Sequence, residues 1–423
     1  MLSAILNAFR VPDLRRKILF TLAIIALYRL GSFVPLPGIP VDQLTDAFKA
    51  TGDNSAMVFL NLFSGNALSN FSVLSLGIMP YITASIIMQL MQGVIPALQR
   101  WAREGESGQK KITQITRYLT LGLGLINAIG YLFLFQSTQY GIVLPAELPT
   151  LFTSAVIVFT LVAGTALIMW MGELITQRGV GNGMSLIIFA NIIAGFPSAI
   201  WQSTKTMHPA FTVMVIIIVL AVIPGIVLIE RAQRRIPINY AKRIQGRKVM
   251  GGTSTYIPLK VNGAGVIPII FASALLYFPA QLAAFFNVPW LMTFSNWLTT
   301  GWLNWILNFA LIVFFCFFYT SMVFNPDQTA ENLQKQGGFI PGVRPGNNTV
   351  TYIKNVLNRI TLPGAFYIGA IAVVPTILFS FTGDNLIRAF GGTSILIMVG
   401  VALDTMSKVE SQLKMHHYDG FFK

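Results

Sequence analysis

The chain has 423 residues, of which 54% are hydrophobic and only 10% are charged, and its formal net charge is +14. Soluble globular chains carry roughly 25% charged residues, so this chain has too few charges to cover a surface that faces water. One very large soluble core is excluded as well, because single cores stop growing near about 250–300 residues. The composition therefore predicts an integral membrane protein.

The N-terminal residues 1–17 combine an apolar stripe with a basic cluster. Leu2, Ile5, Leu6 and Phe9 recur at roughly helical spacing, and basic residues follow before the first long apolar run. We predict a short interfacial helix and then a first membrane span. No small-residue cleavage site follows at the distance that a signal peptide requires, so no cleaved leader is expected.

Ten apolar stretches are long enough to cross a membrane, since about 20 apolar residues cross a hydrocarbon core of ~30 Å. They cover approximately residues 18–38, 71–92, 117–137, 150–171, 184–203, 210–230, 264–287, 303–324, 361–382 and 390–407. Ten spans place both termini on the same side. Five precede residue 205 and five follow it, so the halves 1–205 and 206–423 would insert with opposite orientation, as in inverted repeats.

The segment 55–70, between the first two spans, is moderately apolar but too short to cross. Segments of this kind are typically interfacial or re-entrant. Irregular backbone at membrane depth is tolerated only in a cavity lined by protein. We therefore predict a small helix folded into a central funnel.

The basic residues lie between the apolar stretches and mostly on the side of the N-terminus. The segments on the opposite side contain only Lys49, Lys205 and Arg388, and Arg29 lies inside the first span. The positive-inside rule then predicts that both termini are cytoplasmic. Because these charges flank apolar runs, they are interpreted as membrane-flanking residues rather than as a general nucleic-acid surface.

Two cytoplasmic loops, 231–263 and 325–360, are basic, rich in glycine and longer than a connector requires. Long loops usually carry function. A disordered linker remains an alternative, although Tyr240, Tyr256 and Phe339 are residues that a pure linker lacks. The short sequence 178–183 (RGVGNG) lacks a phosphate-loop lysine and a preceding strand, so a tight turn between helices is the prediction.

The spans contain few groups that could carry chemistry. Arg29, Glu173 and Asp404 stand near span ends, Cys316 is the only cysteine, and no His cluster or paired carboxylates occur. Ionisable residues deep in spans usually mark ion pathways or catalysis. We expect no enzymatic activity, no metal and no cofactor. A multi-span secondary transporter of small solutes remains an alternative, because the span count alone allows one.

Prolines interrupt several apolar stretches. Pro80 lies in the second stretch, and Pro268 and Pro279 lie in the seventh. Proline removes a backbone hydrogen bond and kinks a helix, so these positions predict kinks that serve as hinges or only as packing irregularities.

Long motifs spread over the whole chain resemble one family, the SecY channel family. They occur in the family's order: LGIMPYITASIIMQLM (76–91), EGESGQKKITQITRY (104–118), GELITQRGVGNGMS (172–185), QRRIPINYAKR (233–243), STYIPLKVNGAGVIPIIFAS (254–273), FNPDQTAENLQKQGGFIPGVRPG (324–346) and GGTSILI (391–397). The resemblance implies an all-α integral membrane fold, with ten transmembrane helices in two inverted five-helix halves around an hourglass pore and a short plug helix.

The resemblance also implies a function. Members form the central subunit of the Sec protein translocation channel. They pass unfolded secretory chains across the membrane and release apolar segments sideways into lipid, driven by SecA or the ribosome. The implied partners are SecE, SecG, SecA, the ribosome, polypeptides that carry a signal sequence, and membrane lipid. The implied location is the bacterial plasma membrane.

Site residues are carried over from the resemblance, position by position. The pore ring comprises Ile78, Ile82, Met184, Ile188, Ile270 and Ile397, where Met184 departs from the usual isoleucine. The plug contains Met57, Phe59, Leu60, Leu62, Phe63, Ser64 and Gly65, and the lateral gate contains Thr83, Asn127 and Ser273. The docking surface for SecA and the ribosome contains Arg234, Arg235, Lys242, Arg243, Arg247, Lys248 and Arg344. A narrow aliphatic collar offers water no hydrogen bonds, so it dewets and blocks ions.

Overall fold

The computed structural model describes residues 9, 11–37, 61, 64–136, 150–206, 208–240, 243–245, 248–250, 254–263, 265–286, 289–299, 301–382 and 391–419. The predicted interfacial helix over residues 1–17 lies mostly outside these ranges. Within them the chain is predominantly helical, and its five short β-strands lie between residues 233 and 339.

The helices in chain order are α1 (Pro12–Gly31), α2 (Met79–Val94), α3 (Pro96–Arg103), α4 (Glu106–Gln136), α5 (Thr150–Arg178), α6 (Gly183–Thr206), α7 (Pro209–Arg231), α8 (Ile267–Phe286), α9 (Pro289–Thr299), α10 (Trp302–Val323), α11 (Pro326–Lys335), α12 (Asn347–Thr382) and α13 (Gly392–Asp419). The strands are β1 (Gln233–Tyr240), β2 (Arg243–Gln245), β3 (Lys248–Met250), β4 (Ser254–Lys260) and β5 (Gly338–Phe339). A helix occupies at least part of each of the ten predicted spans.

Six of the described helical stretches are long and apolar enough to cross a membrane, which confirms a multi-pass membrane protein. They are Leu151–Arg178, Gly183–Lys205, Ala210–Arg231, Trp302–Lys335, Asn347–Leu378 and Gly392–Met415. A seventh candidate is the pair formed by α2 and α3, which are bent by 103° relative to each other. The full count of ten stays a prediction.

The second predicted span begins later than the sequence pattern suggested. Residues 71–78 form turns instead of a helix, and Ser72 pairs with Pro35 in an isolated antiparallel bridge. Gly77 adopts a left-handed φ of +57°, so the regular helical backbone of α2 begins only at Met79. The apolar stretch of sequence therefore begins before the helix does, because the backbone conformation at Gly77 determines where the helix can start.

Two of the three predicted proline kinks are wrong. Pro80 and Pro268 each lie in the first turn of a helix, α2 and α8 respectively, where the missing N–H has no partner to lose. These prolines begin helices and do not bend them. Pro279 does lie inside α8.

Two large apolar clusters divide the described helices. The buried members of the first come from residues 24–192, except for Ile270, Ile397 and Val401. The buried members of the second all come from residues 226–399. The groups of helices meet where α4 packs against α8 and where α6 packs against α13. The three exceptions therefore mark the place where the two clusters join.

The turn between α5 and α6 confirms the prediction for residues 178–183. Gly181 has a φ of +85°, and the Gly183 N–H donates to the Thr176 hydroxyl at 2.9 Å. A Cβ on Gly183 would overlap the carbonyl oxygen of Gly172. Glycine is needed here because the two helices approach backbone to backbone.

The two long loops fold into one small domain, which overturns the disordered-linker alternative. β1 pairs antiparallel with β4, from Gln233 opposite Lys260 to Asn239 opposite Ser254. β5, which belongs to the second loop, pairs with the other edge of β1. Alternate residues such as Ile236 are buried against Ile353 of α12, since successive side chains of a strand point to opposite faces.

Candidate functional site

The six predicted ring residues lie together in one apolar cluster. Each is between 1% and 8% exposed, and all belong to the cluster that joins the two groups of helices. Ile78 caps the N-terminus of α2, and the others lie on four helices, α2, α6, α8 and α13. Residues separated by more than 300 positions in sequence thus belong to one buried apolar cluster, and the six predicted ring residues are here called the collar: Ile78, Ile82, Met184, Ile188, Ile270 and Ile397.

Met184 has its own packing partner. A Cβ added to Gly172 would collide with the Met184 thioether sulfur and methyl carbon, so the Met184 side chain lies directly on the glycine of α5. An unbranched, flexible side chain fills irregular gaps of this kind. The departure from isoleucine at the collar is therefore matched by a space that Gly172 leaves.

A polar cavity of about 500 Å³ opens next to the collar. Val401 belongs to the collar's cluster and also lines this cavity, together with Ser185, which follows Met184 on α6. Inside it, the Asn262 amide donates to the Glu230 carboxylate at 2.5 Å and to the Gly265 carbonyl at 3.1 Å. A partly polar cavity thus borders the apolar cluster that contains the collar residues.

The predicted plug is described only in part. Met57, Phe59, Leu60, Leu62 and Phe63 lie outside the described residues.

Ser64 is 1% exposed, and Gly65 follows it in a left-handed conformation with a φ of +65°. The chain after them is buried in the same cluster as the collar through four apolar side chains that the plug prediction omitted: Ala67, Leu68, Phe71 and Leu74. Sequence reasoning placed Ala67 and Leu68 inside the predicted plug segment 55–70 without naming them among the plug residues, and it assigned Phe71 and Leu74 to a membrane span.

The first helix contacts this segment from one side. The Arg29 guanidinium Nη1 donates to the Gly65 carbonyl oxygen at 2.9 Å, and the Tyr28 hydroxyl donates to the Ser64 carbonyl oxygen at 3.4 Å. Tyr28 is completely buried. These contacts span 36 residues of sequence, and the only signal for them is a charged residue in an otherwise apolar stretch.

The predicted gate residues lie on three helices, Thr83 on α2, Asn127 on α4 and Ser273 on α8. α4 packs against both α2 and α8. Ser273 is buried. The Thr83 hydroxyl donates to the Met79 carbonyl of its own helix at 3.0 Å, so this group serves α2 rather than a partner helix.

Sequence analysis missed an ion pair that fastens α4 to α5. Arg117 donates from Nε and Nη2 to the two carboxylate oxygens of Glu173, at 2.7 and 2.6 Å. The Glu173 side chain is only 16% exposed. A bidentate pair of this kind fixes orientation as well as distance. It holds α4, one wall of the predicted gate, against the neighbouring helix.

Only some of the predicted docking residues lie in the part of the chain that the structure describes. Arg234 and Arg235 are exposed on β1, and the Arg235 guanidinium lies 4.8 Å from the ring centre of Tyr256. Arg344 is exposed in the turn between β5 and α12. Arg243 and Lys248 have described backbone only, on β2 and β3, whereas Lys242 and Arg247 lie outside the described residues. The pairing of β1 with β5 unites both loops in one sheet.

In the part of the chain that the structure describes, no three His, Cys, Asp or Glu side chains are grouped so that they could hold a metal ion.

A bundle of long apolar helices whose two groups meet at a buried apolar cluster, with a partly polar cavity beside it, defines a polytopic helical membrane protein. A family model described as SecY matches residues 72–406. The chain is 47% identical to the protein translocase subunit SecY of Streptomyces coelicolor and 44% identical to that of Mycobacterium bovis, each over 100% of both chains. The chain belongs to the SecY family.

Solved structures agree with this assignment at the level of the fold. A protein-conducting channel has a TM-score of 0.63 and 16% identity, with 94% of this chain and 92% of the other covered. A SecY structure, described by the finding that its plug domain stabilises the closed state of the channel, has a TM-score of 0.62. The channel of a canine ribosome–channel complex from the endoplasmic reticulum has a TM-score of 0.58. Membership of the SecY family, shown by the family model and the translocase relatives, does not favour the small-solute transporter.

Proposed function

We propose that this chain is the channel-forming subunit of a Sec protein translocase, which passes unfolded secretory chains through its collar and acts without catalysis of its own. The observation that carries the proposal is the convergence of six aliphatic side chains from both halves. Aliphatic side chains exclude ions while the channel rests, yet they form no specific polar contacts with a passing chain. A translocation pore needs both properties.

The proposal includes ten spans in two inverted halves, 1–205 and 206–423, in a bacterial plasma membrane. Separate apolar clusters for the two halves support this division. The basic loops that flank the spans favour cytoplasmic termini. Five inverted spans on each side would place the collar near the midplane, where the halves can part.

The lateral exit would lie between α2 and α4 on one half and α8 and α10 on the other. Helix pairs in membranes are held by close packing and by hydrogen bonds worth about 0.6 kcal/mol each on average. Asn127 and Ser273 are polar residues of the kind that form such weak contacts, whereas the Thr83 hydroxyl bonds within α2. An apolar signal segment could separate the helices and then partition into lipid, while the Arg117–Glu173 pair holds α4 in place.

The cytoplasmic sheet would receive the partners that drive transport, SecA and the ribosome, while SecE and SecG would bind elsewhere on the bundle. The relation to a ribosome-bound channel supports ribosome docking. Exposed arginines on one rigid sheet suit phosphate groups and acidic protein patches, because guanidinium binds both in bidentate fashion.

Cysteines at positions 83 and 273 test the function and the gate together, in a Cys316→Ala background that removes the single native thiol. We expect oxidation to crosslink the closed gate and to stop SecA- and ATP-driven import of a precursor into vesicles, and reduction to restore it. The control pair places cysteines at 167 and 273, since Leu167 is exposed on α5. Import that continues with the 83–273 bond closed would refute the proposed gate.

A further inference from the structure

The short helix α9 (Pro289–Thr299) carries an exposed aromatic face that the proposed function does not use. We propose that α9 is an interfacial anchor: its partner is the lipid surface on the side of the membrane away from the β4–β1–β5 sheet, and it holds the adjoining end of α8. The lipid contact follows from the fold, whereas its role at the gate rests on the proposed function.

The order of the elements places α9 at the end of the bundle away from the sheet. The chain leaves the sheet at Lys260 of β4, runs along α8, turns through α9 and returns along α10 toward α11 and β5. α9 has 11 residues. Its length is therefore about 16 Å, which is half of the ~30 Å that a span must cross. It connects two predicted spans at the membrane boundary.

The sequence on both sides of α9 carries no charge. Residues 261–326 contain no Asp, Glu, Lys, Arg or His, although this stretch includes the whole connection between α8 and α10. A connection that faces water is expected to be charged, since roughly 25% of residues in soluble chains are. Trp is instead enriched where membrane proteins meet the lipid headgroups. The composition of this connection therefore fits a lipid boundary better than water.

The aromatic residues of α9 form one stripe. Trp290, Phe294 and Trp297 are four and three residues apart, so they fall within about 60° of arc on a helix with 3.6 residues per turn. They are 70%, 43% and 61% exposed, whereas Ser295 is buried. The ring centres of Phe294 and Trp297 lie 6.4 Å apart, a separation at which aromatic rings attract each other. The stripe is thus formed before any partner binds, and it faces away from the protein.

The stripe continues a surface that faces lipid. Trp302, at the start of α10, and Ile306, one turn later, are both exposed. They belong to the stretch Trp302–Lys335, which is long and apolar enough to cross a membrane. Leu275 and Phe278 are likewise exposed on α8. Because the apolar surfaces of two predicted spans flank the stripe, lipid is the partner that already surrounds it.

α9 is fixed to both of its neighbours, so an anchored α9 also holds α8. It packs against α8 and α10. The Asn304 side-chain amide of α10 donates to the Leu298 carbonyl oxygen at 3.1 Å, which satisfies one of the last carbonyl groups of α9. Gly301 turns the chain between α9 and α10 with a φ of +82°, a conformation that favours glycine. The anchor therefore fixes the end of α8 that lies beyond the gate residue Ser273.

The test measures the depth of a fluorophore on the stripe. Phe294→Cys and Trp297→Cys, each in the Cys316→Ala background, are labelled with an environment-sensitive dye in vesicles of phosphatidylethanolamine and phosphatidylglycerol. Quenching is compared among lipids with a nitroxide near the headgroup, lipids with a nitroxide near the chain end, and aqueous iodide. The controls are Phe314→Cys, exposed in the middle of α10, and Tyr256→Cys, exposed on the sheet.

The apolar face of an interfacial helix lies about 5–10 Å into the boundary between headgroups and acyl chains. We therefore expect the shallow nitroxide to quench both α9 probes several-fold more than the deep one, with little quenching by iodide. Phe314→Cys should respond most to the deep nitroxide, and Tyr256→Cys only to iodide. Iodide quenching of the α9 probes without nitroxide quenching would overturn the anchor. So would protection from both quenchers, because a protein partner or a second copy would then cover the stripe. Where only one α9 variant accumulates, it decides alone.

The link to the gate is tested by removing both indoles of the stripe, with Trp290→Ser and Trp297→Ser in one chain. The control is Trp201→Ser, which removes an exposed indole near the end of α6. We expect the 83–273 disulfide to form several-fold more slowly in the double variant and at the unaltered rate in the control. Equal rates would refute the hold on α8. If the unaltered channel imports no precursor, the proposed function fails, and the depth measurement still decides the lipid contact.

Discussion

We expect replacement of Arg344 with glutamate to abolish SecA-driven import while the channel still inserts and folds. Arg344 is exposed in the turn between β5 and α12, and only its backbone carbonyl, which accepts from the Thr349 hydroxyl at 3.1 Å, contributes to the local fold. The substitution therefore changes the surface and leaves the turn intact. A like charge placed against a complementary partner surface costs several kcal/mol, which corresponds to a loss of at least about 100-fold in binding.

The matched control for this charge reversal is Lys354→Glu. Lys354 is also exposed and basic and lies one to two turns into α12. We expect near-normal import from it. The measurement is ATP-dependent protection of a precursor in vesicles with equal amounts of each channel, together with SecA binding to those vesicles. Normal import by Arg344→Glu would remove this residue from the docking surface.

We expect replacement of Ile397 with asparagine to make the resting channel leak ions. Ile397 is 1% exposed within the collar's cluster. A buried amide without partners costs about 1–3 kcal/mol, so it favours states in which water reaches it and wets the constriction. We expect a tenfold or greater rise in resting conductance, since about 1.4 kcal/mol corresponds to a factor of ten in population.

Ile395→Asn is the control for this prediction, because Ile395 is equally apolar, lies on the same helix and is 4% exposed. It belongs to the second cluster and not to the collar. The same burial cost should therefore lower thermal stability without raising conductance. Equal leaks from the two variants would show that the leak reports general damage and that Ile397 does not seal a pore.

Hydropathy predicted the helical bundle because crossing a membrane is a property of a local stretch of sequence. The same local signal failed at residues 71–78, where apolar side chains continue but Gly77 ends regular backbone before α2. It also placed the start of the ninth span at residue 361, whereas α12 begins at Asn347. Polar residues before 361 extend that helix beyond the apolar stretch, where hydropathy carries no information about helix ends.

The parts of the site that the sequence could not predict are contacts between distant residues. Arg117 and Glu173 are 56 positions apart, and Arg29 and Gly65 are 36 apart. Neither pairing has a periodic signature, because each depends on how helices pack after they form. The collar was located only through the family resemblance, since an isoleucine that lines a pore has the same composition signal as one that faces lipid.

The most direct test of a protein-conducting channel is to crosslink a stalled secretory chain to the collar. Photoreactive side chains are placed at positions 188 and 397 in the collar and at positions 27 and 395 as controls, which face lipid and the second cluster. A precursor halted midway should crosslink to probes at 188 and 397 and not to those at 27 and 395. A stalled chain that crosslinks only to the control positions, or equally to all four, would contradict a path through the collar.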